Sequence, residues 1–287
     1  MSDNVVIVTD TTACIPQERI DQHNIELVPI ELIFDEKVYR DGIDITPSQF
    51  YYLLQKTKNL PTTSGSLPTS YLEAYRCASR RTNSIICITE SSRFSGMFNS
   101  ARLAMEMAKE ELPGLKIELV ECTTAAAGQG LVVLAAARAA ALAKSLTEVV
   151  NTIKNLMPRV YLFASLDTLK YLVKGGRVPQ AAALVNSLLN IKPVFSVNCG
   201  DAHTLALPRS TESATKRILE LMKNKIIKEQ PIRIAVMHAN VIQRAKLLEN
   251  QISSQFNCVE IYITEFTPVM GVHTGPGVIG VAFHVEA

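Results

Sequence analysis

The chain has 287 residues, 47% hydrophobic and 20% charged, enough to bury a sizeable core in two domains or one large one. Its 29 basic and 27 acidic residues are spread along the sequence and leave a formal charge of +2, so it lacks the electrostatic footprint of a nucleic-acid or anionic-membrane binder. The six cysteines, at 14, 77, 87, 122, 199 and 258, show neither CxxC nor metal-ligand spacing and lie mostly in apolar runs, which fits a reducing cytoplasm and no metal site.

The chain runs from MSDN straight into VVIV at 5–8, without the pattern of a signal peptide, so a cytoplasmic protein is expected. Strand-like runs at 5–8, 25–34, 84–89 and 116–120 alternate with helical stretches at 47–57, 68–81 and 100–112, the pattern of a parallel sheet covered by helices. Residues 125–144 are alanine-rich, but Gln129 and Arg138 lie among them. Alanine contributes little to membrane insertion and arginine near a helix centre is costly, so a buried helix at 128–144 is predicted and no integral membrane segment. A helix follows at 146–156. The pattern then restarts with a helix at 166–173 ending in Lys174-Gly175-Gly176-Arg177, where glycine suits a left-handed C-cap. Next come a helix at 181–189, a strand at 191–197 with a turn at 199–201, a strand at 232–237, a helix at 241–256, and strands at 259–266 and 278–284. The predicted fold class is α/β, with an N-terminal domain over 1–158 built on a parallel sheet flanked by helices and a smaller C-terminal α/β domain over 159–287. No linker marks the boundary near Pro158, and residues 61–80 are candidates for straddling the two domains.

Residues 91–100, SSRFSGMFNS, place hydroxyls, a glycine and backbone amides between a predicted strand and a helix. A helix N-terminus there presents unpaired N–H groups and the positive end of the helix dipole to an anion; the same serines equally serve as simple helix caps. Gly275 to Gly280 matches GxGxxG in form, but too near the end of the chain for the helix, strand and acidic residue that a dinucleotide site needs. No Walker A, HExxH, GxSxG or kinase signature appears. Two further loops concentrate small, hydroxylic or imidazole residues, 61–66 (PTTSGS) and 271–277 (GVHTGPG). Asp10, Thr11 and Thr12 follow the first strand, either as support for a ligand site or as an ordinary Asx or Ser/Thr turn.

Taken in order, Val8-Thr9-Asp10-Thr11-Thr12-Ala13, Thr63-Ser64, Ser91-Ser92 with Ser95-Gly96 and Asn99-Ser100-Ala101, Lys174-Gly175-Gly176-Arg177, Ile191-Lys192-Pro193, Arg209 and His273-Thr274-Gly275-Pro276-Gly277 make the sequence resemble the DegV family across nearly its full length. Characterised members of that family are the fatty-acid-binding subunits of a bacterial fatty acid kinase. The resemblance implies a long-chain fatty acid as ligand, its acyl chain buried in the interdomain region, with no other cofactor. The ligand carboxylate would be held by Thr63 and Ser95 with help from Ser64 and the N–H groups of Ser95 and Gly96, and His273 and Thr274 would stand beside it. His273 is expected to donate a proton or balance charge, since an unperturbed imidazole titrates near neutrality. Arg177 and Arg209 match arginines associated with the kinase catalytic subunit and phosphoryl transfer; each would otherwise pass for an ordinary surface arginine. An acyl chain of about fifteen methylenes carries on the order of 12 kcal/mol of gross transfer free energy, leaving the head group to orient it, and residues 166–173 and 181–189 with Phe195 and Phe266 are candidate walls. The chain departs from the family at Met97-Phe98, at Gly65-Ser66 and at Cys122-Thr123, which bears on chain-length preference and partner choice. Two other readings stay open: a stand-alone acyl transferase or hydrolase using Ser95 with His273 as base, and a lipid-responsive sensor.

Overall fold

The β-branched run after the N-terminus forms β1 (Val5–Asp10), buried at every position as a central parallel strand must be. The computed structural model describes residues 4–57, 59–178, 191–227 and 229–286. Helix α1 (Gln17–His23) leads to β2 (Glu26–Val28), parallel to β1. The single strand expected over 25–34 is broken at Pro29, which has no N–H to give a ladder, and β3 (Glu31–Phe34) belongs to a different sheet. There it pairs antiparallel with β4 (Lys37–Arg40) and, beyond α2 (Pro47–Lys56), with β5 (Thr62–Gly65). Helix α3 (Pro68–Ser79), β6 (Ser84–Thr89), α4 (Met97–Glu111) and β7 (Lys116–Glu121) complete a parallel sheet of order β2-β1-β6-β7.

Helix α5 (Ala127–Ala141) is covered on all sides, with twelve of its fifteen residues buried, so it has no solvent face to make amphipathic. It packs against β1 and also against β11 (Ile232–His238) and β13 (Ile279–Val285) of the second sheet. Small residues permit that approach: a Cβ at Gly130 would lie 2.6 Å from the Ala13 carbonyl oxygen. Helix α6 (Leu146–Leu156) and a 3-10 turn at Met157–Arg159 carry the chain into the second sheet.

That sheet has six strands in the order β10-β9-β8-β13-β11-β12, with β8 (Tyr161–Ser165), β9 (Val194–Asn198), β10 (Asp201–Ala206) and β12 (Cys258–Glu265). Only β11 and β12 run parallel; the other pairings are antiparallel. The helix expected at 166–173 forms later, as α7 (Lys170–Gly175), because Asp167 is held by Lys192 and Arg244 at 2.9 Å each and the Leu166 N–H donates to the Pro193 carbonyl. Gly176 is its left-handed C-cap, as its sequence position predicts. The helix expected at 181–189 lies outside the described residues. Helix Thr211–Lys223, which the hydrophobic pattern did not single out, starts from a Ser210/Ser213 capping box, and helix Ile242–Ser253 follows β11. Helix Pro268–Thr274 leaves the second sheet to pack against α2, β3 and β5.

At the start of β11 and β12, Glu260 gathers Arg233 (2.7 Å), Arg138 of α5 (3.1 Å) and Arg19 of α1, tying the two sheets together through one carboxylate. Burial raises the Glu260 pKa, but the three guanidinium groups outweigh it and hold the carboxyl below its usual range. Its stabilising contribution is therefore complete above the unfolded value of about 4.3 and is lost as pH falls through the lower native value. Glu260→Gln leaves three arginines without their shared anion. It is expected to cost about 2 kcal/mol, moderated by the cluster's partial solvent access, measured by urea unfolding at pH 7, and the loss should shrink toward pH 3.

Candidate functional site

In the parallel sheet the chain leaves β1 toward β2 on one side and β6 toward β7 on the other, so the carboxyl ends of β1 and β6 border a topological switch point, where open α/β sheets form ligand crevices. The end of β1 supplies Asp10, fully buried, whose carboxylate accepts from the Thr12 N–H (3.0 Å), the Thr12 hydroxyl and the Tyr71 hydroxyl (3.3 Å). Burial pushes the Asp10 carboxyl up to about 6 despite those donors. Asp10 thus caps the 3-10 turn Thr11–Ala13, while Thr12 also lines the cavity described below.

The loop after β6 divides its hydroxyls between two tasks. Ser92 donates its N–H and its hydroxyl to Glu121 at 2.7 Å each and Ser91 adds a third bond at 3.4 Å, so both serines anchor the loop to the end of β7. Arg93 pairs with Asp201, which joins the loop to the β9–β10 turn, and the Gly200 N–H donates to the Thr123 carbonyl, which ties the same turn to the segment after β7. Ser95 remains at the cavity, its Oγ accepting from the Met97 N–H at 3.3 Å. The Ser95 N–H, expected as a free donor, is taken by the Ser91 carbonyl at 3.3 Å, because the turn closes on itself before the helix starts. Helix α4 begins at Met97, three residues ahead of its predicted start, with Gly96 as its N-cap.

Thr63 on β5 and His273 on Pro268–Thr274 meet although 210 residues separate them, with Oγ1 and Nε2 3.1 Å apart in a hydrogen bond. His273 Nδ1 is buried without a partner among the described residues and lies against Gly175, where a Cβ would be only 2.7 Å from it. Enclosure, and then the nearby Arg177 charge, push the imidazole down to about 4. This corrects the expectation of a charge-balancing histidine: His273 is neutral at physiological pH, because burial penalises the imidazolium and no carboxylate favours it. Arg177 reaches back to the Gly175 carbonyl (2.7 Å) and to the Phe94 carbonyl (3.4 Å), stretching across the mouth.

These groups close one end of a cavity of about 210 Å³ between the two sheets. Thr63, Ser64, Ser95, Gly96, Arg177, His273 and Thr274 all line it, as does Gly65. Two of the hydroxyls are engaged elsewhere: Ser64 donates to Glu31 at 3.3 Å and Thr274 to the Met270 carbonyl at 2.9 Å. Arg209 stands apart, exposed before helix Thr211–Lys223 and not among the lining residues. The walls are apolar: Leu162 and Ala164 from β8, Leu166, Leu172, Phe195 and Phe266. Met97 adds a buried side chain where the sequence departs from the family pattern. Sequence reasoning missed Glu90, an 8% exposed acid that also lines the cavity, although its place directly behind the apolar strand β6 at a sheet's carboxyl edge was a usable signal. Among the described residues no cluster of three or more His, Cys, Asp or Glu could hold a metal, and no helix is long and apolar enough to cross a membrane.

Fold and site together define a two-domain α/β protein with an apolar cavity under a hydroxyl- and imidazole-lined mouth, a shape suited to an amphipathic ligand. A family model described as "Uncharacterised protein, DegV family" matches residues 4–286, and the chain belongs to the DegV family. It is 31% identical over 282 residues to a DegV domain-containing protein of Clostridium acetobutylicum, covering 98% of each chain. Among solved structures it is similar to DegV of Bacillus subtilis, a fatty acid binding protein (29% identical, TM-score 0.89, 99% of each chain covered). It is also similar to a DegV family protein from Thermus thermophilus described for its fatty acid binding (26% identical, TM-score 0.89, 99% of this chain and 100% of that one). The enclosure of His273 makes one direct prediction: its imidazole nitrogen NMR shifts stay constant from pH 8 to pH 5 and move only as pH approaches about 4.

Proposed function

We propose that this protein binds a long-chain fatty acid, burying the acyl chain in the apolar cavity and presenting the carboxylate at the mouth to a separate ATP-dependent kinase subunit that forms the acyl phosphate. The observation that carries the reading is the polarity of this cavity, with apolar walls ending in Thr63, Ser95, Arg177 and His273. The fatty acid binding of the Bacillus subtilis and Thermus thermophilus relatives supports it. A neutral His273 with its proton on Nε2 donates to Thr63 Oγ1 and leaves the Thr63 proton free for the ligand carboxylate, a charge-assisted bond that fixes the head group's direction. Arg177, exposed at the mouth, is placed to meet both the carboxylate and an incoming phosphoryl group. In this reading the protein carries substrate, works in the cytoplasm and has no catalysis of its own. The alternative of a self-sufficient hydrolase or acyl transferase using Ser95 is disfavoured because His273 Nε2 bonds Thr63 and Ser95 Oγ accepts from Met97, so the Ser95–His273 pair that it needs is not formed.

Extraction of the purified protein followed by mass spectrometry should identify a fatty acid; a protein that is empty and takes up no added palmitate would overturn the reading. Thr63→Ala and Ser95→Ala are each expected to weaken palmitate binding by roughly 10-fold or more, the range for losing a hydrogen bond to a charged group. Arg177→Ala should depress partner-dependent acyl phosphate formation more than it depresses binding, and equal losses in both assays would sink that division of roles.

A further inference from the structure

Glu90 is the only acid that lines the cavity among the described residues, and it shares the polar end with Thr63, Ser95, Arg177 and His273. A carboxylate ligand seated there meets a fixed carboxyl group, with the Asp10 carboxylate behind it at the end of β1. Two carboxylates enclosed in one site do not both ionise. The cations present are too few to neutralise both: His273 is held neutral by its enclosure, and Arg177 is the one cation lining the cavity among the described residues, so it can balance one carboxylate and not two. The other titratable groups facing Glu90 add no positive charge. Tyr71 on α3 and Cys122 after β7 are both held neutral by burial. A proton must therefore reside at this end of the cavity.

Resting on the fatty-acid reading above, we propose that Glu90 supplies that proton: its O–H donates to the ligand carboxylate, so the site takes its ligand as an acid–carboxylate pair sharing one proton, and binding is coupled to proton uptake in mildly alkaline solution. The proton stays on the pair and no covalent bond changes. Burial, followed by the Asp10 charge, pushes the free Glu90 carboxyl up to about 8, while the Ser95 hydroxyl and Arg177 pull the other way. The direction of the effect follows from linkage. Below that titration Glu90 carries its proton already and affinity is level; above it the ligand has to bind with a proton, and affinity falls by up to about tenfold per pH unit. The head group selected is one that accepts a hydrogen bond from a neutral acid, and a neutral head such as an alcohol has no reason to share the pH dependence.

The test is equilibrium dialysis of labelled palmitate with the full chain, stripped of lipid, from pH 7.5 to 9.5 at fixed ionic strength, with hexadecanol as the neutral comparison. Palmitate affinity should fall about tenfold or more across the window while hexadecanol affinity stays level. Glu90→Gln, which keeps a donor and cannot ionise, should give a flat palmitate profile and bind palmitate more tightly than the wild type at pH 9.5. A wild-type profile level within about twofold, or a Gln variant that keeps the wild-type slope, overturns the proposal and leaves the fatty-acid reading standing. No palmitate binding at any pH overturns both. Calorimetry of the wild type alone at pH 8.5, in two buffers of different ionisation enthalpy, decides the matter should the variant fail to fold: roughly 0.75 proton taken up per palmitate is expected from the linkage, and zero uptake overturns it.

Discussion

Helix α5 is mostly apolar and covered by both sheets and by α6, with Arg138 reaching out to Glu260, and the spacing of the whole molecule follows from that burial. Alanine and glycine keep it thin enough for the turn after β1 to touch it, and Gly130 in particular admits the Ala13 carbonyl. The sheets are thereby held one narrow helix apart. Where α5 stops, nothing as wide takes its place: Ala125 and Ala126, just ahead of its first turn, line the cavity. The cavity is thus the continuation of the gap that α5 fills, and its apolar walls are the same inward faces of β8 and β9 that pack as core elsewhere.

The two ends of this interdomain seam have opposite electrostatics. At the amino ends of β11 and β12, three arginines share Glu260 in a dense ionic cluster. At the cavity end, Asp10, Asp41 and Glu90 are buried with hydroxyls and amides as their close partners, and burial raises the titration of all three. Asp41 accepts from the Val269 N–H at 3.2 Å and so fixes the helix that carries His273. Neutral donors aimed into a low-dielectric space discriminate head groups by hydrogen-bond geometry and proton count, which a cluster of solvated cations would do poorly.

The parallel sheet was readable from β-branched runs at regular intervals, and the polar mouth from three loops rich in hydroxyls and glycine. What escaped the sequence were the elements whose identity depends on distant partners. Strands β4, β5 and β10 are short and polar, and they are strands only because β3 and β9 lie beside them. The serines of the loop after β6 look alike in sequence, yet Ser91 and Ser92 are spent on Glu121 and only Ser95 is left at the cavity. His273 reads as a neutral-pH switch until its enclosure is known, and Glu90 reads as a surface acid until the loop folds over it. In each case the deciding quantity is burial by residues far away in the chain, of which the local pattern carries at most a hint, as in the position of Glu90 directly behind the apolar strand β6.

The Thr63–His273 hydrogen bond spans 210 residues, and the cavity it closes draws on segments from Thr12 to Val278. Contacts of such sequence separation require long loops to close before they reward the chain, so they cost more chain entropy than local ones. The mouth of the cavity is in that sense a checkpoint: it exists only once nearly the whole polypeptide is in place. A ligand that fits it recognises completed molecules and ignores partly folded ones, and its binding free energy is added to the stability of the entire fold and not to one domain alone.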